Sequence, residues 1–291
     1  MISIIVSSYN KKYFQSFSKS VKETIGDGVS YEIIDIWNPG KIGICYAYNQ
    51  GANQAKYDNL LFIHEDTLFI TKDWGNRLLN LLYDKNIGVV GVAGSSYVPN
   101  VPAFWWGLNE ICFYNLVQSD QKDEKIIIYK LDKKYGGKKK VYSLDGVFLA
   151  CRKKVYLEFQ FNNNLKGFHG YDIDFSLRVA SKYINIVTGE ILIKHFSYGN
   201  LSQDWFTEII NIRNNYIIPK DQINNKEYEI KKYFVFIDYL SKYKYPFFWS
   251  LNKQIKYLSV QKLGIKGFLK VNIKILKYIK FFILKKLKSC K

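Results

Sequence analysis

A chain of 291 residues, 48% hydrophobic and 23% charged, has the composition of a folded globular protein, which excludes disordered, collagen-like and low-complexity architectures. Its formal charge of +18 is unevenly spread: residues 220–291 hold 18 Lys and four acids, no acid follows Asp238, and residues 1–219 are close to balanced. The basicity belongs to the C-terminal segment, and no DNA- or RNA-binding motif accompanies it, so nucleic acid is not an expected partner.

Four cysteines (Cys45, Cys112, Cys151, Cys290) lie far apart with no zinc-type spacing, and they read as small buried hydrophobes rather than as a disulfide framework. The N-terminal MISIIVSSYN has no basic region, apolar leader or cleavage site, and no charge-free apolar run is long enough to span a bilayer. The expectation is a cytoplasmic chain whose membrane contact, if any, is peripheral.

The run Ile2 to Val6 predicts a strand buried on both faces, followed by the polar loop SSYN. A helix is expected over 13–23, a turn at Gly26-Asp27-Gly28, and a second strand, YEIIDIW, over 31–37. Helical spacing in GICYAYNQGANQAK leads to NLLFIHED, a third buried strand ending in polar and acidic residues. Asp73 is an expected N-cap for a helix through Leu82, and IGVVGVAG over 87–94 reads as one fourth strand. This βαβ rhythm predicts an open α/β sheet whose ligands sit outside the carboxyl ends of the strands.

Residues 95–140 break the rhythm, first aromatic and then lysine-rich, and read as an excursion over the site or a surface hairpin. Trp105 and Trp106 could stack on sugar faces or simply pack. Strand character returns over 141–154. A helix follows over YDIDFSLRVASKY, with Asp172 and Asp174 in its first turn, then strand character over INIVTGEILIKHFS, and a helix capped by Asp204 through Ile217. Beyond Pro219 the pattern is mostly helical, and residues 265–288 place Lys mostly three or four positions apart among Leu, Ile, Phe and Val, a basic amphipathic helix suited to an anionic membrane surface.

His64-Glu65-Asp66, Asp145, Asp172 with Asp174, and His195 fall at strand ends or helix starts, positions that converge on one crevice in such a sheet. Asp carboxylates with an imidazole suit Mn²⁺ or Mg²⁺ bound together with a diphosphate, and the sheet half is poor in arginine, with Arg77 alone before Arg152. Each residue also has an ordinary structural explanation: helix-start acids for Asp172 and Asp174, a strand-end polar residue for His64, a structural histidine for His195, and a loop histidine for His169.

In order, SIIVSSYN, YEIIDIWN, GICYAYNQGANQA, LLFIHED, SLDGVFLACRK, GFHGYDIDFSLR and IKHFSYG resemble the block pattern of family 2 glycosyltransferases, most closely a bacterial sub-family with His-Gln-Asp in place of Asp-X-Asp. The resemblance covers about residues 1–218. It implies a GT-A fold, a Rossmann-like mixed sheet flanked by helices, over those residues, and the lysine- and aromatic-rich pattern beyond them reads as a helical, membrane-associating extension over 219–291. It implies that Ser7 and Tyr9 meet the nucleotide base, that Asn38 stands where the family has a base-binding Asp, and that Glu65 lies beside the ribose. Asp66 and His195 match metal-ligand positions, Asp145 a sugar-contacting position, and Asp172 the general base of inverting enzymes, with Tyr171 where a Glu usually stands. Tyr48 replaces a frequently basic residue, which shifts diphosphate stabilisation toward the metal or Lys41. The implied activity is metal-dependent transfer from a nucleotide-sugar, a UDP-sugar, to a glycan or lipid-linked glycan acceptor at the inner face of a bacterial membrane. The departures at Asn38, His64 and Tyr171 also fit a catalytically silent nucleotide-sugar- or glycan-binding homologue.

Overall fold

The computed structural model describes the chain except residues 121, 123, 124, 133, 135, 136, 198–200, 217 and 290–291. Cys290 and the close of the IKHFSYG stretch lie outside the described residues, and the helix expected through Ile217 ends at Arg213. Cys45, Cys112 and Cys151 are buried.

The first half follows the expected alternation: β1 (Ile2–Ser8), α1 (Lys11–Thr24), β2 (Tyr31–Trp37), α2 (Ile44–Gln54) and β3 (Asn59–His64). Ile2, Ile4, Ile5 and Val6 are wholly buried because both faces of β1 are covered. The Asn10 side chain caps α1 by accepting from the N–H groups of Lys12 and Tyr13. At the start of α2, Gly43 lies so close to the chain that a Cβ there would sit 2.4 Å from the Lys166 carbonyl oxygen.

Three local expectations are corrected. Asp73 precedes α3 (Trp74–Tyr83) with φ 59° and no capping bond; its carboxylate accepts from the Asn76 side chain instead. The single strand expected over 87–94 is two, β5 (Ile87–Gly91) and β6 (Ala93–Ser95), which belong to different sheets. The cap of α6 (Gln203–Arg213) is Ser202, whose side chain accepts from the Trp205 N–H, while Asp204 lies in the first turn.

The remaining elements of the first compact unit (Met1–Tyr97 and Trp105–Asn200) are β4 (Thr67–Phe69), β7 (Cys112–Tyr114), β8 (Leu116–Ser119), β9 (Ile126–Tyr129), β10 (Lys138–Val141), β11 (Ser143–Leu144), β12 (Phe148–Arg152), α4 (Lys153–Phe159), α5 (Tyr171–Ala180), β13 (Ile184–Thr188) and β14 (Ile193–His195). The main sheet runs β10-β13-β5-β12-β3-β1-β2. β1 is parallel to β2 and β3, and β5 to β13, whereas β12 is antiparallel to both β3 and β5. This is the mixed α/β sheet of a GT-A fold. Two small sheets, β11-β6-β7 and β4-β14-β8-β9, hold the excursion.

The second unit comprises Val98–Phe104 and Leu201–Lys291, with α6, α7 (Lys226–Lys242), α8 (Phe247–Lys256) and α9 (Val260–Ser289). Its short N-terminal segment is held by buried polar groups: Glu229 accepts from the Asn100 N–H, and Lys232 donates to the Phe104 carbonyl at 2.9 Å. α9 kinks at Gly264, where φ is 68°. Beyond it the apolar residues form two stripes rather than one. Gly267, Val271, Ile275 and Tyr278 are buried, whereas Ile265, Leu269, Ile273 and Leu276 are 74%, 57%, 53% and 64% exposed. At 100° per residue each set occupies an arc of about 80°, with Lys266, Lys270, Lys274 and Lys277 along one boundary between them.

Asn185 shows how closely the main sheet is specified. Wholly buried in β13, it accepts from the Val89 N–H and donates to the Tyr142 and Ser176 carbonyls. Asn185→Ala strands these groups and should lower stability by about 2–4 kcal/mol in chemical denaturation, with the slope unchanged.

Candidate active site

The carboxyl ends of β1, β2 and β3 lie side by side, with Ser7 paired to Ile36 on one side and to His64 on the other. Because β12 is antiparallel, the loop that precedes it reaches this same edge, where the His64 N–H donates to the Val147 carbonyl at 3.3 Å. Asp145, in that loop, accepts from the Val147 N–H at 2.9 Å.

His64, Asp66 and His195 converge, with one potential ligand atom from each lying within 4.8 Å of the others. Asp66 Oδ1 is 3.5 Å from His195 Nε2 and 4.0 Å from His64 Nδ1. The register explains the approach: β14 pairs with β4, setting His195 opposite Thr67, the residue after Asp66. Each imidazole is fixed through its other nitrogen. His64 Nε2 is 2.8 Å from the Tyr171 hydroxyl, and His195 Nδ1 is 3.3 Å from Gln118 Oε1. These partners leave His64 Nδ1 and His195 Nε2 turned toward the carboxylate, the second-sphere arrangement that orients metal-bound histidines. His195 Nε2 is buried and makes no hydrogen bond among the described residues.

Electrostatics suits the same role. Burial lowers the His64 pKa against the opposing pull of Asp66, which favours the neutral ligand form. Burial works against ionisation of Asp66, yet His195 and His64 together hold its carboxyl below the usual range. Two imidazole nitrogens and one carboxylate oxygen are a donor set that a divalent transition-metal ion accepts, and the three residues could hold one.

Asp172 starts α5 one residue after Tyr171. Its carboxylate accepts from the Ile173 N–H at 2.9 Å and the Gly146 N–H at 3.1 Å. Burial, reinforced by the Asp145 charge, nevertheless pushes its pKa up to about 7. Gly146 is sterically required, since a Cβ there would lie 2.0 Å from the Tyr171 hydroxyl. Asp174, the other acid of this turn, is spent on structure: Arg178 holds it at 2.7 Å.

The expected nucleotide residues occupy the β1–β2 side of this edge. Ser7 is half-buried and Tyr9 59% exposed. Asn38 is buried and already engaged: its amide donates to Ile42 O and Ser7 Oγ and accepts from the N–H groups of Lys41 and Ile42. Glu65 likewise accepts from the N–H groups of Tyr9 and Asn10, so its carboxylate fixes the loop after β1. Tyr48 is wholly buried among Phe62, Phe161 and Tyr171, beneath the site rather than in it. Lys41 is exposed.

Sequence reasoning gives His64 two possible roles and misses Tyr171 as the support of His64 and Gln118 as that of His195. The signal for His64 was its place two residues before Asp66; nothing in the sequence marked Gln118.

The sequence profile of a glycosyltransferase-like family matches residues 3–218. The chain belongs to this family. No curated protein sequence matches it. Among solved structures, the chain is similar in fold to "Crystal structure of GalNAc-T7 with UDP, GalNAc and Mn2+" at 12% identity and a TM-score of 0.51, over 94% of this chain and 54% of that one. The chain thus spans about half the length of that glycosyltransferase.

Titration with Mn²⁺ followed by electron paramagnetic resonance should reveal one bound ion per chain. Asp66→Ala should abolish it, and His64→Ala or His195→Ala should weaken it by about 10-fold or more. Undiminished binding in all three variants would show that the ion sits elsewhere.

Proposed function

We propose that this member of the family is a metal-dependent, inverting glycosyltransferase of hexosyltransferase type, moving a sugar from a nucleotide-sugar, a UDP-sugar, to a glycan or lipid-linked glycan acceptor. The observation that carries this is the meeting, at one edge of a GT-A sheet, of the His64–Asp66–His195 donor set with a half-buried carboxylate, Asp172, whose pKa is pushed up to about 7.

His64, Asp66 and His195 would hold Mn²⁺ or Mg²⁺, the two imidazoles favouring Mn²⁺, and the ion would offset the charge of the leaving diphosphate. Ser7, Tyr9 and the loop organised by Asn38 and Glu65 bind the nucleoside, with recognition by Ser7, Tyr9 and loop backbone because the Asn38 and Glu65 side chains already have partners. Asp145 orients a sugar hydroxyl. Asp172 removes the acceptor hydroxyl proton as that oxygen attacks the anomeric carbon from the face opposite the nucleoside diphosphate, which leaves with its bonding pair, so the configuration is inverted. The Gly146 and Ile173 N–H groups hold Asp172 in place through the transfer.

The basic C-terminal helices supply the location, the inner face of a bacterial cell membrane, where surface polysaccharide or glycoconjugate precursors are built. No helix among the described residues is long and apolar enough to cross a membrane. The exposed stripe of α9, flanked by lysines, suits insertion at the interface of an anionic bilayer. A second copy of the chain on that stripe would set lysine against lysine, with no acid on the helix to pair them.

Activity should require the ionised form of Asp172, so transfer (kcat/KM) should rise with pH and level off above about 7. Asp172→Asn should lose about 10²- to 10⁴-fold and show no such ionisation. Sugar transfer by Asp172→Asn at the wild-type rate would overturn the base assignment, and nucleotide-sugar binding by wild-type protein with neither transfer nor donor hydrolysis would favour the silent-homologue alternative. In flotation assays the full chain should rise with phosphatidylglycerol-containing vesicles at low salt and less so at high salt. Leu269→Glu with Ile273→Glu should stay at the bottom of the gradient while retaining UDP binding.

A further inference from the structure

The aromatic part of the 105–134 excursion has no part in the step just described, yet the sheet register ties it to Asp145. In the β11-β6-β7 sheet Leu144 pairs with Gly94, and the Asp145 N–H donates to the Ala93 carbonyl, which places Asp145 across from Ala93. On the other side, Ala93 pairs with Tyr114. Directly opposed residues of a sheet share a face, so Tyr114 and Asp145 project to the same side with only the Ala93 methyl between them. Two strand spacings separate them by about 10 Å at Cα.

Tyr114 does not stand alone. Tyr129 stacks on it, with ring centroids 5.0 Å apart and planes at 30°. Trp105 packs behind Tyr114 at 5.3 Å, buried rather than presented to a ligand. Tyr114 and Tyr129 line a cleft of about 230 Å³ whose wall also includes Asn109, Phe113, Lys130 and Asp132. The Tyr114 pKa is raised, mainly by burial and in part by the Asp145 charge, consistent with their shared face.

Its position separates this cleft from the nucleoside. In the main sheet β1 and β2, with Ser7 and Asn38, lie to one side of β3, whereas β12 and β5 lie to the other, and β5 leads directly into β6. The tyrosine pair therefore stands across the His64–Asp66–His195 group from the nucleoside residues, with Asp145 next to it. Strand β8 makes a second connection: Leu116 pairs with Tyr129, and Gln118, two residues on, pairs with His195.

We propose that Tyr114 and Tyr129, with Asn109 and Asp132, form an acceptor subsite that takes a pyranose ring of the glycan. This rests on the glycosyltransferase function proposed above and adds a location and ligand class for the acceptor. The apolar C–H face of the ring lies against the face of Tyr129 turned away from Tyr114, and Asn109 and Asp132 meet its hydroxyls, a pairing that an aromatic face with a polar rim provides. Asp145 then lies between the subsite and the transfer point.

Saturation-transfer NMR tests this on the full chain with Mn²⁺ and UDP, using the methyl glycosides of glucose, galactose, mannose, N-acetylglucosamine and N-acetylgalactosamine as probes. At least one should receive saturation. Tyr129→Ala should weaken that glycoside by about 10-fold, Tyr129→Phe should keep it, and neither should change UDP affinity. Equal glycoside affinity in Tyr129→Ala, displacement of UDP by the glycoside, or UDP binding with no glycoside bound would each overturn the subsite. Glycoside binding that depends on Tyr129, without any UDP binding, would instead uphold the subsite and remove the donor assignment.

Discussion

The site depends on one antiparallel strand. Had β12 run parallel to β3, its preceding loop would have emerged at the opposite edge of the sheet, and Asp145 and Gly146 could not have met the carboxyl end of β3. Running antiparallel, β12 ties the Val147 carbonyl to the His64 N–H, and the chain just before it passes Gly146, whose N–H donates to Asp172 and whose missing Cβ makes room for the Tyr171 hydroxyl. Tyr171 in turn orients His64 toward Asp66. A single backbone pairing thus sets the donor group and the candidate base together, and burial of β12 between β3 and β5 makes its register costly to shift.

Much of this is legible in the sequence where one physical signal dominates. β1, β2 and β3 stand out because continuous apolar runs bounded by polar loops have few competing explanations, and Asp66, Asp172 and His195 stand out because polar residues at strand ends and helix starts point to a crevice. The break at Val92 is not legible, since IGVVGVAG has the same pattern whether it stays in one sheet or crosses into another. Side chains engaged by the protein itself are equally hidden. Asn38 and Glu65 sit where ligand contacts are expected, but an amide that can satisfy three backbone groups of its own loop, or a buried carboxylate beside two unpaired N–H groups, is drawn to the backbone first. Gln118 is fixed only by long-range strand pairing and leaves no local trace.

The helix α9 illustrates the same limit in another form. Sequence periodicity gives one apolar face and one basic face, but packing uses only part of the apolar surface. A helix wrapped on two sides by hydrophobic residues can satisfy the fold with one stripe and keep the other for a second environment, and only the burial of Val271, Ile275 and Tyr278 shows which is which.

Charge explains why the arrangement calls for a cation. Glu65, Asp66, Asp145 and Asp172 gather at one edge, and among the described residues none of them forms an ion pair with Lys or Arg; N–H groups and two imidazoles are what they have. Asp172 bears the consequence, its pKa lifted to about 7 by burial and by Asp145. Folding binds its proton more tightly than the unfolded chain does, so this group's contribution to stability is full below the ordinary aspartate range and is lost as pH rises through about 7. The ionised form of Asp172 is therefore the form the fold tolerates least. A divalent ion on the His64–Asp66–His195 group would relieve that repulsion, so that for the base role proposed for Asp172 its ionisation would be coupled to occupancy of that group by charge alone.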